Sequence, residues 1–269
     1  MKIIVQKFGG TSVATPEARI AVKDKVQQAI RKGLSPVVVV SAMGRKGAPY
    51  ATDTLIDVLK NENISVNVRE MDAMMCCGEI ISACVMAATL QKFGINAMAL
   101  TGGQAGIITD SQFGAARIKN INVSNLHHLL ESGIIPVVCG FQGVTENNYK
   151  FTTLGRGGSD TSAAALGAAL HAEFVEIYTD VEGIMTADPR IVEEANILHQ
   201  ITYAEVCQMA QNGAKVIHPR AVEIAMSRNI PVYVKSTFSD APGTLITNER
   251  SDCNCGSDIS INEHLASGV

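Results

Sequence analysis

The sequence predicts an α/β protein in three layers, with helices on both faces of a central, mainly parallel sheet. Strand-like and helix-like patterns alternate from the first residues onward. The run Val37-Val38-Val39-Val40 is apolar at every position, and glycine- and hydroxyl-rich segments follow several strand ends. A strand that is apolar on both faces needs cover on both sides, as a central parallel strand has. With 269 residues, 46% hydrophobic and 18% charged, the chain is long enough to bury a full core.

Ile3 to Gln6 read as the first strand, running into Lys7-Phe8-Gly9-Gly10-Thr11-Ser12. At the carboxyl end of a parallel strand, Lys7 can reach a phosphoryl oxygen, and two glycines would let backbone N–H groups approach it. Alone, the segment fits an ordinary Gly-Gly turn with a solvated lysine equally well. Thr15 and Pro16 make an N-cap and first-turn pair for a helix whose apolar stripe includes Val22, Val26, Ala29 and Ile30, ended by Gly33. Pro36 to Ser41 is the buried strand, and Ser41-Ala42-Met43-Gly44 a second ligand-edge loop.

After a polar stretch, Arg45 to Thr52, helices are expected near 53–60 and 66–93. The second is rich in Met and Ala and holds Glu79 in an apolar run. A carboxylate there is costly unless it faces solvent or meets a cation or a ligand ammonium, and both readings stand. A strand near 95–100, the loop Thr101-Gly102-Gly103, a strand around Gly106 to Ile108, a helix from Val123 to Glu131 and a buried strand from Ile134 to Cys139 follow. Gly140 to Tyr149 suggest a loop and short hairpin.

The richest segment is Thr152-Thr153-Leu154-Gly155-Arg156-Gly157-Gly158-Ser159-Asp160. It opens a small-residue helix, Thr161 to Ala172, whose N-terminal N–H groups and dipole suit an anion. Ser159 and Asp160 also read simply as a helix cap and first-turn acid. The last third has a strand at Phe174 to Tyr178, then Thr179-Asp180 and the loop Asp188-Pro189-Arg190. A helix near 203–211, Gly213-Ala214-Lys215, and a helix from Pro219 to about Arg228 come next, with Lys215 and Arg220 open to a reading as surface charges. Strands at Ile230 to Ser236 and Gly243 to Ile246 lead into a linker-like stretch, Asn248 to Ser260.

The net charge of −4 speaks against a nucleic-acid partner held by counterion release. No eighteen apolar residues run without a charge and the N-terminus shows no leader pattern, so neither a membrane nor export is expected. Seven cysteines at irregular spacing read as reduced intracellular thiols, which suggests a cytoplasmic protein. Cys84, Cys139 and Cys207 are expected to pack as small hydrophobes. Cys76-Cys77 and Cys253-Asn254-Cys255 lack a second ligand pair at zinc-like spacing.

Two glycine loops, two lysines outside any Walker motif and aspartates at strand ends suit phosphoryl transfer, where a protein positions reactants and neutralises charge. No G-x-x-x-x-G-K-[ST] is present. Gly155 to Asp160 lacks the third glycine of a dinucleotide fingerprint and comes in mid-chain, which disfavours hydride transfer.

Taken together, Lys7 to Val13, Thr152 to Asp160, Thr179-Asp180-Val181-Glu182-Gly183-Ile184 with Asp188-Pro189-Arg190, and Gly213-Ala214-Lys215-Val216 resemble the aspartate kinases of the amino acid kinase superfamily, in family order over residues 1 to about 247. The resemblance implies that superfamily's αβα sandwich, with an aspartate side over about 1–150 and an ATP side over about 151–247. Lys7 and Lys215 would hold the phosphates of ATP, and Asp160 would orient them. Gly9, Gly10 and Ser41 would face the transferring phosphate, while Thr179, Asp180 and Arg190 would line the nucleotide pocket. Arg156 would clamp the α-carboxylate of aspartate and Glu79 its α-ammonium, with Thr52, Phe141 and Ser159 completing the pocket. Met185, where some members carry an aromatic, and extra residues around Arg45 to Tyr50 depart from the family's pattern.

The implied reaction is in-line attack of the aspartate β-carboxylate on the γ-phosphorus of Mg-ATP. It gives 4-phospho-L-aspartate and ADP, the first step toward lysine, threonine and methionine. The nucleophile is already ionised, so no general base is needed and the six histidines form no evident catalytic set. Mg²⁺ would rest largely on phosphate oxygens, with Asp160 or Asp180 acting directly or through water. Family members usually continue into ACT regulatory domains. Residues 248–269 resemble a linker toward them, so feedback control through such domains is not expected within this stretch. The resemblance also implies a homodimer. A kinase for glutamate, N-acetylglutamate or a nucleotide, or a catalytically silent binding module, are the rival expectations.

Overall fold

The structure, a computed structural model, describes residues 1–187, 192, 194–211 and 217–248. Numbered in chain order, its central sheet runs β10 (Gln200–Thr202), β12 (Thr244–Thr247), β11 (Val232–Ser236), β9 (Val175–Thr179), β1 (Lys2–Phe8), β2 (Leu34–Val40), β6 (Ile135–Cys139), β3 (Ala97–Leu100). Every neighbouring pair is parallel except β11 with β12. β1 lies inside the sheet, with Lys7 level with Val39 on one side and Ile177 on the other.

The two faces of the sheet carry separate cores, and the strand period of two assigns residues to them. Ile3, Val5, Val37 and Val39 pack with α5 (Ser124–Glu131), α6 (Gly158–Ala169), α7 (Tyr203–Gln211) and α8 (Pro219–Ser227). Phe8, Val38 and Val40 pack with α2 (Pro16–Arg31) and α4 (Val68–Lys92). The all-valine run is therefore buried on both sides, as predicted.

Local chemistry accounts for the helix ends. Thr15 Oγ1 accepts a hydrogen bond from Ala18 N at 3.2 Å and Pro16 opens the first turn of α2, while Gly33 takes φ 73° just beyond it. Val22, Val26 and Ala29 are buried, but Ile30, expected in that stripe, is 39% exposed. The stripe is narrower than its spacing suggested, because α2 meets the sheet along one seam.

Helix α6 begins at Gly158, three residues before the predicted start, and ends at Ala169. Gly157 at φ 66° lets the chain turn straight into the helix, so Ser159 and Asp160 fall within its first turn. Helix α4 has the length and hydropathy to cross a membrane by composition alone. Here it packs on β3, β6 and β8 (Phe151–Thr153), with Asp72 and Glu79 on its buried side.

A second sheet, β5 (Ile118–Ile121), β4 (Ile107–Thr109), β7 (Gln142–Thr145), β8, goes beyond the short hairpin expected from sequence. Neither β5 nor β10 was anticipated: strands of three or four residues with little alternation exist only through their partners. Cys84, expected inside, is exposed on α4; Cys139 is buried and Cys207 partly so, and these thiols are free. Arg190 and Lys215, with Asp188, Pro189, Gly213, Ala214 and Val216, lie outside the described residues, as do Cys253, Cys255 and residues 249–269.

Candidate active site

Because β1, β2, β6 and β9 are parallel, their carboxyl ends share one edge, and the glycine loops meet there. A cavity of about 290 Å³ at that edge is lined by Lys7, Gly10, Ser41, Thr52, Glu79, Phe141, Arg156, Ser159 and Asp160, together with Ala42, Gly44, Gly155, Gly157 and Gly158. Nine residues singled out from sequence thus converge on one space. They come from β1 and the short helix Gly10–Val13 that follows it, the loop after β2, the start of α3 (Thr52–Glu62), α4, the β6–β7 junction, the loop between β8 and α6, and the start of α6.

Lys7 Nζ lies 2.7 Å from Asp160 Oδ1, an ion pair closed between the end of β1 and the first turn of α6. The ammonium sits off the hydrogen-bonding direction of that oxygen, which is left without a hydrogen-bond partner. Gly9 and Gly10 serve differently. Gly9 N–H is already donated to Tyr178 O at 3.2 Å, so Gly9 contributes a missing side chain rather than a free donor. At Gly10 an added Cβ would stand 2.6 Å from Ala42 O and 2.7 Å from Gly44 O, so the first two strand-end loops touch through their backbones there.

Glu79 is 2% exposed. Its Oε1 accepts from Ala42 N at 3.1 Å, while Oε2 has no partner in the structure. Burial pushes its carboxyl up to about 8, against which the Ala42 N–H bond works. The solvent-facing alternative for Glu79 is therefore excluded. A half-satisfied carboxylate aimed into a polar cavity is the arrangement expected where a cationic ligand group completes the set.

Across the cavity Arg156 is exposed at its rim, on the loop between β8 and α6. Phe141 holds φ 68°, a left-handed conformation uncommon for an aromatic residue. Its N–H donates to Ser162 Oγ at 3.1 Å and its carbonyl accepts from Leu154 N at 2.8 Å, which pin it over the start of α6. Thr179 and Asp180, at the end of β9, are not among the cavity-lining residues. Asp180 Oδ2 instead accepts from Arg45 Nη2 at 2.5 Å, across from the loop that departs from the family pattern.

Two contributors, half-buried Arg220 and buried Asp72, went unrecognised in the sequence. Arg220, open to a reading as a surface charge, donates from Nη1 to Leu154 O at 3.1 Å and from Nη2 to Ala116 O at 3.2 Å, bracing the loop that bears Arg156. Asp72 has no apolar or motif signature of its own; only its place two turns before Glu79 on one helix face could have drawn attention.

A glycine-lined cavity at the carboxyl edge of a mainly parallel sheet, with a cation pair partner on one wall and an orphaned carboxylate on another, defines an α/β small-molecule-binding protein suited to anionic and zwitterionic ligands. The chain belongs to the amino acid kinase family, whose model matches residues 2–236. It is 51% identical over its full 269 residues to aspartokinase 1 of Bacillus subtilis and 44% identical over 265 residues to an aspartokinase of Geobacillus stearothermophilus. It spans 66% and 61% of those proteins, respectively, and 98% of this chain is aligned in the second case. Among solved structures it is similar to Escherichia coli aspartokinase III in complex with aspartate and ADP, at 30% identity and a TM-score of 0.81, covering 93% of this chain and 66% of that one.

Proposed function

We propose that this chain transfers the γ-phosphoryl group of ATP to the β-carboxylate of L-aspartate, giving 4-phospho-L-aspartate and ADP. The observation that carries the reading is the placement of Glu79, with its unpartnered Oε2, in one cavity with Arg156 and with the Lys7–Asp160 pair. An α-amino acid brings one positive and one negative charge, and the cavity offers the Arg156 guanidinium to one and, to the other, a Glu79 carboxyl that ionises on meeting an ammonium. In this reading Glu79 takes the α-ammonium, Arg156 the α-carboxylate, and Thr52, Phe141 and Ser159 close the pocket around the side chain.

The β-carboxylate then points toward Lys7, where Lys7 and Lys215 offset charge on the phosphoryl group in flight and Asp160 orients them. Gly9, Gly10 and Ser41 shape the approach of the phosphates, and Thr179, Asp180 and Arg190 line the nucleotide side; the aspartate side lies mainly in about 1–150 and the ATP side mainly in about 151–247, with Lys7 and Arg156 reaching across. Catalysis is alignment plus charge neutralisation, since the acceptor needs no deprotonation. Mg²⁺ ordinarily rests on phosphates with one or two carboxylates, here Asp160 or Asp180, and both carboxylates stand at the carboxyl edge of the sheet. Bound there, it would shield phosphate charge.

The relatives' shared name, aspartokinase, supports aspartate as the acceptor, and the family resemblance implies a place at the head of the aspartate-derived amino acids, lysine, threonine and methionine. Free thiols support a cytoplasmic setting, and the family resemblance supports a homodimer. Incubation with Mg-ATP, L-aspartate and hydroxylamine should yield aspartyl hydroxamate. Turnover with L-glutamate but none with aspartate would reverse the substrate assignment, and inactivity with both would favour a binding module.

A further inference from the structure

Asp72 is wholly buried, yet neither of the residues it bonds lines the cavity. Its Oδ2 accepts from Gly114 N at 2.9 Å and from Thr153 N at 2.8 Å, and its Oδ1 accepts from Thr153 Oγ1 at 2.8 Å. A buried carboxylate costs several kcal/mol unless its lone pairs are met, and an apolar side chain would fill the space more cheaply. What the carboxylate adds is direction: three donors from two chain segments are drawn to one point on α4.

Helix α4 and the Thr153 segment lead to the two anchors of the cavity, Glu79 and Arg156. Asp72 stands about two turns before Glu79 on the same face of α4. Thr153 ends β8, and the chain continues through Leu154 and Gly155 to Arg156. Gly114 lies directly beneath that continuation, its carbonyl oxygen 3.4 Å from where a Cβ on Gly155 would be. Between Asp72 and Glu79, Cys76 O accepts from Gln142 Nε2 at 3.1 Å, and Gln142 is the β7 partner of Thr153. The helix bearing Glu79 and the strand bearing Arg156 are therefore tied at Asp72 and again one turn on.

We propose that Asp72 is a positioning residue that sets the separation of Glu79 from Arg156, and so the grip of the site on an α-amino acid. The proposal rests on the aspartate kinase reading above. Its consequence is selective: loosening the tie disturbs the acceptor's two anchors and leaves the nucleotide side, built on β1, β9 and the segments beyond, in place.

The test measures KM for aspartate and for Mg-ATP separately, by hydroxamate formation, in Asp72→Ala, Asp72→Asn and Thr153→Val. Asp72→Ala is expected to raise KM for aspartate at least about tenfold, since misplacement by a fraction of an ångström is felt strongly in a two-anchor site, with KM for Mg-ATP within about twofold of wild type. Asp72→Asn keeps an acceptor oxygen and should recover most of that loss. Thr153→Val removes only the hydroxyl donor and gives the reading in a folded protein should Asp72→Ala fail to fold; a rise of about threefold in KM for aspartate is expected. Equal changes in both KM values, or a fall in kcat with neither KM altered, overturn the proposal. Wild-type turnover of aspartate is the independent control. If wild type binds aspartate without turning it over, the kinase reading fails while the tie is still decided, by comparing aspartate Kd across the same variants in calorimetry; if wild type does neither, both fall.

Discussion

Lys7 Nζ meets Asp160 Oδ1 at 2.7 Å, joining the end of the first strand to the first turn of a helix far along the chain. Both side chains are largely buried, and each supplies what the other would lack. The acid holds the ammonium at the strand end, and in the proposed site the ammonium would offset a carboxylate beside an incoming phosphate. Lys7→Ala should lower turnover by about a thousandfold or more, the scale expected when a fixed cation is removed from a phosphoryl-transfer site. Far-UV circular dichroism should show the fold intact, because Asp160 still sits in the favourable field at the start of α6. A loss of less than tenfold would remove Lys7 from its assigned role.

In the proposed site, Glu79 should make aspartate binding depend on pH. Burial raises its carboxyl from 4.5 to about 8, so the free site holds it largely neutral at pH 7. Pairing with a ligand ammonium favours the ionised form, so binding below pH 8 releases a proton. Affinity for aspartate should tighten by about tenfold per pH unit as pH rises toward 8, and then level off. Calorimetry in buffers of different ionisation enthalpy should register the released proton at pH 7, and Glu79→Gln should abolish both effects. The unliganded protein behaves in the opposite sense. Its carboxyl ionises more readily unfolded than folded, so this group's contribution to stability is complete below about 4.5 and is lost as pH rises toward 8.

The adjacent glycines of the first loop separate stability from activity. Gly10→Ala forces a methyl onto two backbone carbonyls, at 2.6 and 2.7 Å, and should destabilise the protein by about 1–3 kcal/mol in urea unfolding. At Gly9 the added methyl meets nothing closer than 3.8 Å, one of those atoms being Lys7 Nζ. Gly9→Ala should therefore melt like wild type and yet lose about tenfold or more in kcat, because in the proposed site the methyl would stand where phosphate approaches the lysine. Equal destabilisation of both variants would contradict this division.

Arg45 and Asp180 form an exposed ion pair at 2.5 Å between the loop after β2 and the end of β9. Exposed pairs contribute about 1 kcal/mol at most, so Arg45→Ala should move the melting temperature by no more than about 2 °C. In the proposed site Asp180 faces the nucleotide and must leave this partner first. Arg45→Ala should then lower KM for Mg-ATP by up to about fivefold, and Asp180→Ala should raise it. An unchanged KM in both variants would separate the pair from nucleotide binding.

Much of the site was legible along the chain because its parts are local. A lysine before two glycines, a glycine cluster ahead of a small-residue helix, and hydroxyls at strand ends each announce themselves within a few residues. The all-apolar Val37 to Val40 run was equally legible as a doubly covered strand, and its alternate residues do enter the two cores.

Helix α4 shows where such reading stops. It is apolar around much of its circumference, so spacing could not assign Glu79 to solvent or interior, nor mark Cys84 as exposed. Ile30 on α2 was misplaced, and Arg220 on α8 was left open, for the same reason: a side chain's exposure depends on which neighbour arrives. The sequence alone determined which residue types stand at the strand ends, and so the kind of ligand the edge could hold, because that follows from chemistry within each loop. Only the tertiary structure decided that Glu79 is buried and half-satisfied, that Asp72 ties its helix to the strand bearing Arg156, and that β5 and β10 exist at all. Burial and hydrogen-bond partners arise from contacts between segments far apart in the chain, and no local pattern encodes them.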